Sequence, residues 1–468
     1  MSQGEKALNP IAAALGFPGL YWWQSDDAGA VDNANEDNFW TQLVIAAGIV
    51  DESYIRTESK KATEAEKQLV EEEQERQRLE AAAAAESNAA AQGVGGQEVS
   101  AREVVVPPVP KPPPRLGEAD FSLHRPLGRG RFGEVLLATH RTSRSIVALK
   151  VLHKELLWNS KMRERARNEF KINVTLLRAG EHPFIVRLMF AFSTRRCLCL
   201  ALDVAPCGEL FQLTTNHEPG SFLGKTQGRR FPEKAARFYV SECLLALEFL
   251  HEAKVLYRDL KPENVLLAED GHVKISDFGL SKPNVSKPLE GAKSMCGTPE
   301  YMAPEILQNN HDHGLAIDWW ALGALCYELV DGHPPWHAKD RTQLFDKIVK
   351  TSLKMPKNVK PKLSVDCLDL LKTLLEKNAP KRLGVEGATQ VKNHKFFAMV
   401  DFEALFERKI DPPFQPKPPA PTKLDTTVDL DWASIQPQQA PPRGMDITWE
   451  KFDQIFNGFE YRADLTAN

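Results

Sequence analysis

The 468-residue chain lacks three things that would have narrowed its class at once. No apolar run approaches the ~20 residues that a helix needs to cross a bilayer. The seven cysteines (Cys197, Cys199, Cys207, Cys243, Cys296, Cys326 and Cys367) contain no C-x-x-C pair and are odd in number. A disulfide scaffold is therefore not expected, and a reduced protein of the cytoplasm or nucleus is. Charge of one sign is missing too: the net value is -4, which gives no reason to expect nucleic acid as a partner. The apolar stretch from Ile11 to Trp23 is broken by Pro18 and preceded by a single basic residue, Lys6. It does not read as a secretory leader.

The small net charge hides an asymmetry. Residues 1–120 carry 10 Lys+Arg against 21 Asp+Glu, a balance of -11, and the remainder balances to +7. The length implies two or three structural units. Residues 1–58 form an extension whose aromatic segments, "FPGLYWWQSDD" and "FWTQLVIAAGIVDESY", suit a small packed piece or a partner-docking segment. Residues 59–92 are rich in Ala, Glu, Lys, Arg and Gln, with Glu72 and Arg76 four apart, and predict a solvated single helix. Residues 93–120 contain "VVVPPVPKPPPRLG" and predict an extended linker. From Phe121 the texture changes. The runs "EVLLATH" and "SIVALKVL" predict strands, and apolar spacing predicts helices near 160–180, 232–254 and 315–331. Strands first and helices later suggest two lobes. "TTNHEPGSFLGKTQGRR" reads as an inserted surface loop.

Four motifs carry chemistry. In "LGRGRFGEV", Gly128, Gly130 and Gly133 open a second strand rather than a helix. A glycine turn between strands can lay backbone N–H groups over phosphates, where a Cβ would block close approach. Lys150 ends the apolar run "VALK" seventeen residues later, and Glu169 in "ARNEFKINVTLL" can pair with it from a helix. "YRDLKPENVLL" then gathers Asp259, Lys261 and Asn264 within six residues. An aspartate there can accept a hydroxyl proton, a lysine can neutralise a transferring phosphoryl group, and an asparagine can offer oxygen to a metal. "ISDFG" adds Asp277 as a second Mg²⁺ ligand, and "GTPEYMAPE" follows.

In this order and spacing the motifs resemble the eukaryotic protein kinases over residues 121–397, an α+β, bilobal fold with a small β-rich lobe and a larger helical lobe. "YRD" and "KPEN" resemble the serine/threonine AGC group, of the S6-kinase and protein-kinase-C kind. The resemblance implies ATP and Mg²⁺ as cofactors, protein substrates and an upstream activating kinase. It implies a nucleotide site built from Leu127, Gly128, Gly130, Gly133, Val135, Ala148 and Lys150. Leu202 would stand as gatekeeper before the backbone of Asp203 and Ala205, with Glu209 beyond. Asp259, Lys261 and Asn264 would be catalytic, Asn264 and Asp277 would hold metal, and Glu169 would position Lys150. Glu305 should pair with Arg382, and Asp318 should brace the catalytic loop. Glu209, Glu263 and Glu328 would grip arginines of the substrate, and Ser294 would be an activation-loop phosphosite facing Arg258. Residues 398–468 would be the group's C-terminal tail, starting at "KIDPPFQPK" and ending in "FNGFEY". Phe456, Phe459, Glu460 and Tyr461 match its hydrophobic motif, with Glu460 where relatives carry a phosphorylated residue. The basic run holding Lys161, Arg163, Arg165 and Arg167 is the expected partner of Glu460. The alternative is a catalytically silent scaffold acting through its N-terminal extension, against which Lys150, Asp259, Asn264 and Asp277 all count.

Overall fold

Residues 121–153 and 188–202 hold short apolar runs suited to strands, with buried and cleft-facing positions alternating over Ile146–Val151. In the computed structural model these runs form β1 (Phe121–Gly130), β2 (Gly133–His140), β3 (Ile146–His153), β4 (Leu188–Ser193) and β5 (Cys197–Leu202). The structure describes residues 6–8, 21–23, 116–130, 133–210, 230–308, 311–356, 362–415, 430–435 and 448–462. The five strands are antiparallel, in spatial order β4-β5-β3-β2-β1. The alternation does its work in β3. Val147, Leu149 and Val151 join a core with Phe121, Phe190 and Phe192, while Ala148 and Lys150 face a cleft.

One long helix, α1 (Ser160–Ala179), packs on this sheet. Asn159 caps it by accepting a hydrogen bond from the Met162 amide at 2.9 Å, satisfying one of the orphan donors of a helix start. Gly180, at φ 127°, ends it in a backbone region that disfavours other residues.

The second lobe is helical. Helix α2 (Glu233–Glu252) is followed by the hairpin β6 (Val265–Leu267) and β7 (Val273–Ile275), then by α3 (Ala316–Asp331) and α4 (Val365–Leu374). Helix α3 is buried along every residue but its last, as a helix apolar on all faces must be. Gly323 lets α4 come close, because a Cβ there would lie 2.7 Å from that of Leu374. Buried Arg382 donates to both carboxylate oxygens of Glu305, at 2.6 and 2.9 Å. Asp318, fully buried, accepts from the backbone amides of Tyr257 and Arg258, both at 2.9 Å, and contacts His251 Nε2 at 2.8 Å. It therefore fixes the entry to the segment that carries Asp259.

Near its end the chain returns to the small lobe. Leu430 N donates to Leu123 O at 2.6 Å, and Ile435 joins the core beside Phe121. Helix α5 (Trp449–Ile455) and strand β8 (Tyr461–Arg462) follow, β8 pairing with the β4 edge of the sheet. Contacts divide the chain into two units, Met1–Lys111 and Pro112–Asn468. In the first, Lys6–Leu8 pairs antiparallel with Tyr21–Trp23. The helix expected at 59–92 and nearly all of the linker and the inserted loop fall outside the described residues. Among the described residues no helix is long and apolar enough to cross a membrane.

Candidate active site

A cleft of about 740 Å³ lies between the sheet and the helical lobe. Its roof comes from β1, β2 and β3, with Leu127, Gly128, Gly130, Gly133, Val135, Ala148 and Lys150 all on its wall. Leu202, Asp203, Ala205 and Glu209 line the connection between the lobes, and Asp259, Asn264 and Asp277 line the floor. Val186 and Leu266 add apolar surface that no sequence motif singled out.

The three glycines differ in why they are glycines. A Cβ on Gly133 would sit 1.7 Å from the Val151 carbonyl oxygen, so the neighbouring strand alone excludes a side chain there. Around Gly128 nothing lies within 4 Å of a built Cβ. Close approach to phosphates, the reason offered by the sequence, is therefore not needed at Gly133, whereas no protein atom accounts for Gly128.

Lys150 Nζ lies 2.6 Å from Glu169 Oε1 on α1 and 3.0 Å from Asp277 Oδ1. Burial works against the lysine's charge, and the carboxylates of Asp277 and Glu169 outweigh it, holding the ammonium above its ordinary range. The same ammonium depresses the Asp277 carboxyl. Burial raises that of Glu169, with Lys150 opposing. Asp277 has φ 59°, a left-handed conformation that aspartate tolerates better than most residues.

Across the cleft Asp259 is nearly buried. Its Oδ2 accepts from Asn264 Nδ2 at 2.8 Å and lies 3.0 Å from Lys261 Nζ, and its Oδ1 accepts from Thr298 Oγ1 at 3.0 Å. Lys261 Nζ also donates to the Thr298 hydroxyl at 2.9 Å. Thr298 is a member of this group that sequence reasoning missed; its place in "GTPE", close after Ser294, was the available signal. Asn264 commits its amide nitrogen to Asp259, through the backbone oxygen as well at 2.8 Å. Its amide oxygen and the Asp277 carboxylate are hard oxygen donors on one wall of the cleft. Among the described residues no cluster of three His, Cys, Asp or Glu side chains suits a metal. Two protein oxygens with the remainder from phosphates and water is the arrangement that Mg²⁺ accepts, so this donor set fits that ion.

Beyond the cleft, Arg258 Nη1 donates to Ser294 Oγ at 2.7 Å, while its Nε donates to Leu280 O at 2.6 Å. Glu209, Glu263 and Glu328 influence one another through Glu263. Burial and that neighbour raise the carboxyl of Glu209. Glu328 is raised by burial, and it is nearly buried, accepting the Tyr301 hydroxyl.

Phe456 and Phe459 are buried against α1 and β4, with the Phe459 ring 4.4 Å from that of Phe170. Phe452, fully buried, adds a third ring that the motif does not contain. Glu460 shares a cleft with Lys154, Arg195 and Arg196, from the end of β3 and the β4–β5 turn. In the basic run of α1, Arg163 is buried and donates to Leu157 O at 3.1 Å, and Arg165 lines the large cleft. Strand pairing in β8 carries residue 460 along the sheet edge toward that turn.

Residues 121–397 match the family model described as protein kinase domain. "Protein kinase 2" of Dictyostelium discoideum is 37% identical over 353 residues, 74% of this chain and 67% of that protein. Human "Ribosomal protein S6 kinase alpha-6" is 38% identical over 354 residues, 75% of this chain and 44% of the relative. "Serine/threonine-protein kinase Sgk1" of Gallus gallus is 38% identical over 317 residues, 67% of this chain and 68% of that protein. The chain thus spans under half of one of these relatives and about two thirds of the other two.

Proposed function

The chain belongs to the protein kinase family, in its AGC group, and from that premise we propose that it transfers the γ-phosphoryl group of ATP to serine or threonine in Arg-x-x-Ser/Thr contexts. The observation that carries this reading is the line of charges across one cleft: Glu169 and Lys150 on one side, and on the other Asp277, which Lys150 reaches, and Asp259 with Asn264 and Lys261. The backbone of Asp203 and Ala205 receives adenine, and the β1–β2 turn covers the phosphates. Lys150 holds the α- and β-phosphates, and Glu169 keeps it extended. Asp259 orients the substrate hydroxyl and takes its proton. Lys261 and the Thr298 hydroxyl stand beside that carboxylate, and the lysine offsets negative charge as the phosphoryl group moves. Asn264 and Asp277 would hold Mg²⁺, which when bound neutralises phosphate charge and aligns the transfer. The same proposal includes protein substrates, an upstream activating kinase and a reducing compartment, cytoplasm or nucleus. Among the described residues the seven cysteines form no disulfide, in keeping with such a compartment.

The peptide preference is tested on a positional array. Arginine pairs with carboxylates in a bidentate fork that lysine does not reproduce. Peptides with Arg three residues before the acceptor should be phosphorylated best. Charge reversal at Glu209, Glu263 or Glu328 should each remove part of that preference. Selection of acidic or proline-directed peptides would refute the proposal. The grip has a pH sign as well. Glu209 and Glu328 have raised pKa values, so they lose charge at a higher pH than ordinary carboxylates. The KM for Arg peptides should therefore climb as pH falls, starting earlier than for an exposed glutamate.

Ser294 is proposed as the activating phosphosite. Arg258 already donates to its hydroxyl, so a phosphate there gains a charge-assisted bond without moving the arginine. Ser294→Ala protein from its native cells should have clearly lower specific activity than wild type. Full activity would place the switch elsewhere.

A further inference from the structure

Asp203, the first residue after β5, uses each of its carboxylate oxygens. Oδ1 accepts the backbone amide of Arg187 at 2.5 Å, and Oδ2 accepts Lys274 Nζ at 2.5 Å. The Asp203 amide in turn donates to Arg187 O at 3.0 Å. Arg187 leads into β4 of the small lobe, whereas Lys274 lies in β7, three residues before Asp277. Both charged side chains are shielded, the lysine 17% and the aspartate 23% exposed. Strand β7 is also sewn to the segment before β4, with Val186 N donating to Ile275 O at 3.0 Å and Ile275 N to Phe184 O at 2.8 Å.

One carboxylate thus ties together three pieces: the connection that meets adenine, the start of β4, and the strand that leads into Asp277. An ATP molecule must touch the first and last of these at once. We propose that Asp203 and Lys274 are a positioning pair that sets the separation between the adenine-contacting backbone and Asp277, and thereby tunes nucleotide affinity. The inference rests on the reading of this cleft as an ATP site. Neither side chain needs to touch the nucleotide. The aspartate is short enough to reach the Arg187 amide while still meeting the lysine, so its identity matters even where the contact with adenine is made by backbone.

The test uses the full chain. The Kd for Mg·ATP is measured by calorimetry, the KM values for ATP and peptide by turnover, and Tm for each variant. Lys274→Met and Asp203→Asn should each weaken ATP binding about 5- to 10-fold, as loss of a partly shielded charge-assisted bond implies. The double variant should be no weaker than either single, since both break the same link. Lys274→Arg should stay near wild type. For Lys274→Met, kcat at saturating ATP and the peptide KM should change less than about twofold, because the pair acts on ground-state binding. A lowered Tm with unchanged ATP affinity would make the pair a simple brace and overturn the proposal, as would additive losses. If wild type binds ATP but transfers no phosphate, the kinase reading fails and the affinity series still decides this one. If wild type binds no ATP, both fall.

Discussion

Asp259→Asn is expected to lower turnover of a serine peptide by a factor on the order of 10²–10⁴, the usual worth of a positioned base, while the chain stays folded. The hydrogen bonds explain why the fold should survive. The amide oxygen of the new side chain can occupy the place of Oδ2, where Asn264 and Lys261 donate. Its NH₂ group then takes the place of Oδ1, facing the Thr298 hydroxyl, which can turn to accept. No buried donor is stranded, yet nothing remains to take the substrate's proton. Lys150→Ala should be equally severe for a different reason. It leaves Glu169 and Asp277 facing the cleft without the cation between them, so ATP affinity should fall together with kcat. The measurements are steady-state kinetics, ATP titration and thermal melting on the purified full chain. Turnover in Asp259→Asn within tenfold of wild type would remove the assignment of the base.

Much of this site was legible because its chemistry is local in sequence. Asp259, Lys261 and Asn264 lie within one turn of chain, and "ISDFG" follows closely. The helices expected near 160–180, 232–254 and 315–331 were found at Ser160–Ala179, Glu233–Glu252 and Ala316–Asp331, because their apolar spacing reports one buried face or, for the last, burial all round. What escaped was contact between distant segments. Lys274 and Asp203 are 71 residues apart and Lys154 and Asp453 are 299 apart, and no spacing rule joins them. Phe452 stands alone in "WEKFDQI", outside any motif. The pairing of Tyr461 with Ala191, which directs the tail along a strand toward Lys154, Arg195 and Arg196, was likewise beyond any spacing rule. Gly133 taught a different lesson: the reason offered by the sequence was incomplete, since the clash that excludes a side chain comes from β3.

The last expected result concerns the tail. Phe452, Phe456 and Phe459 form a ladder of rings, with centroids 4.9 Å apart between the first two and 5.9 Å between the last two. Together they fill the groove between α1 and the sheet, and β8 covers the β4 edge that would otherwise expose unpaired backbone. Burying each ring contributes roughly 1.5–3 kcal/mol before the cost of ordering the tail. The Lys154–Asp453 pair, with the aspartate 67% exposed, adds at most about 1 kcal/mol. The Phe459 ring rests on Phe170, the residue after Glu169, so docking bears on the helix that aims Glu169 at Lys150. Phe459→Ala leaves a hole of the kind that costs about 3–5 kcal/mol in a core. The loss is capped by the free energy of docking, because the tail can simply come away. If the cap holds the loss to about 2–3 kcal/mol, then at about 2–4 °C per kcal/mol the melting temperature should fall by roughly 4–12 °C. Activity should fall with it, about tenfold if the aim of Glu169 loses some 1.4 kcal/mol. Phe452→Ala should behave alike, which separates a three-ring anchor from a two-ring motif. Glu460→Ala should do much less, since Glu460 is exposed and its cleft also holds Glu155 and Asp453 against Lys154, Arg195 and Arg196. Its carboxylate is permanent, so wild type needs no phosphate at residues 456–461 to dock. Equal melting temperature and turnover in wild type, Phe452→Ala, Phe459→Ala and a truncation ending at Asp453 would show that the tail contributes neither stability nor catalysis.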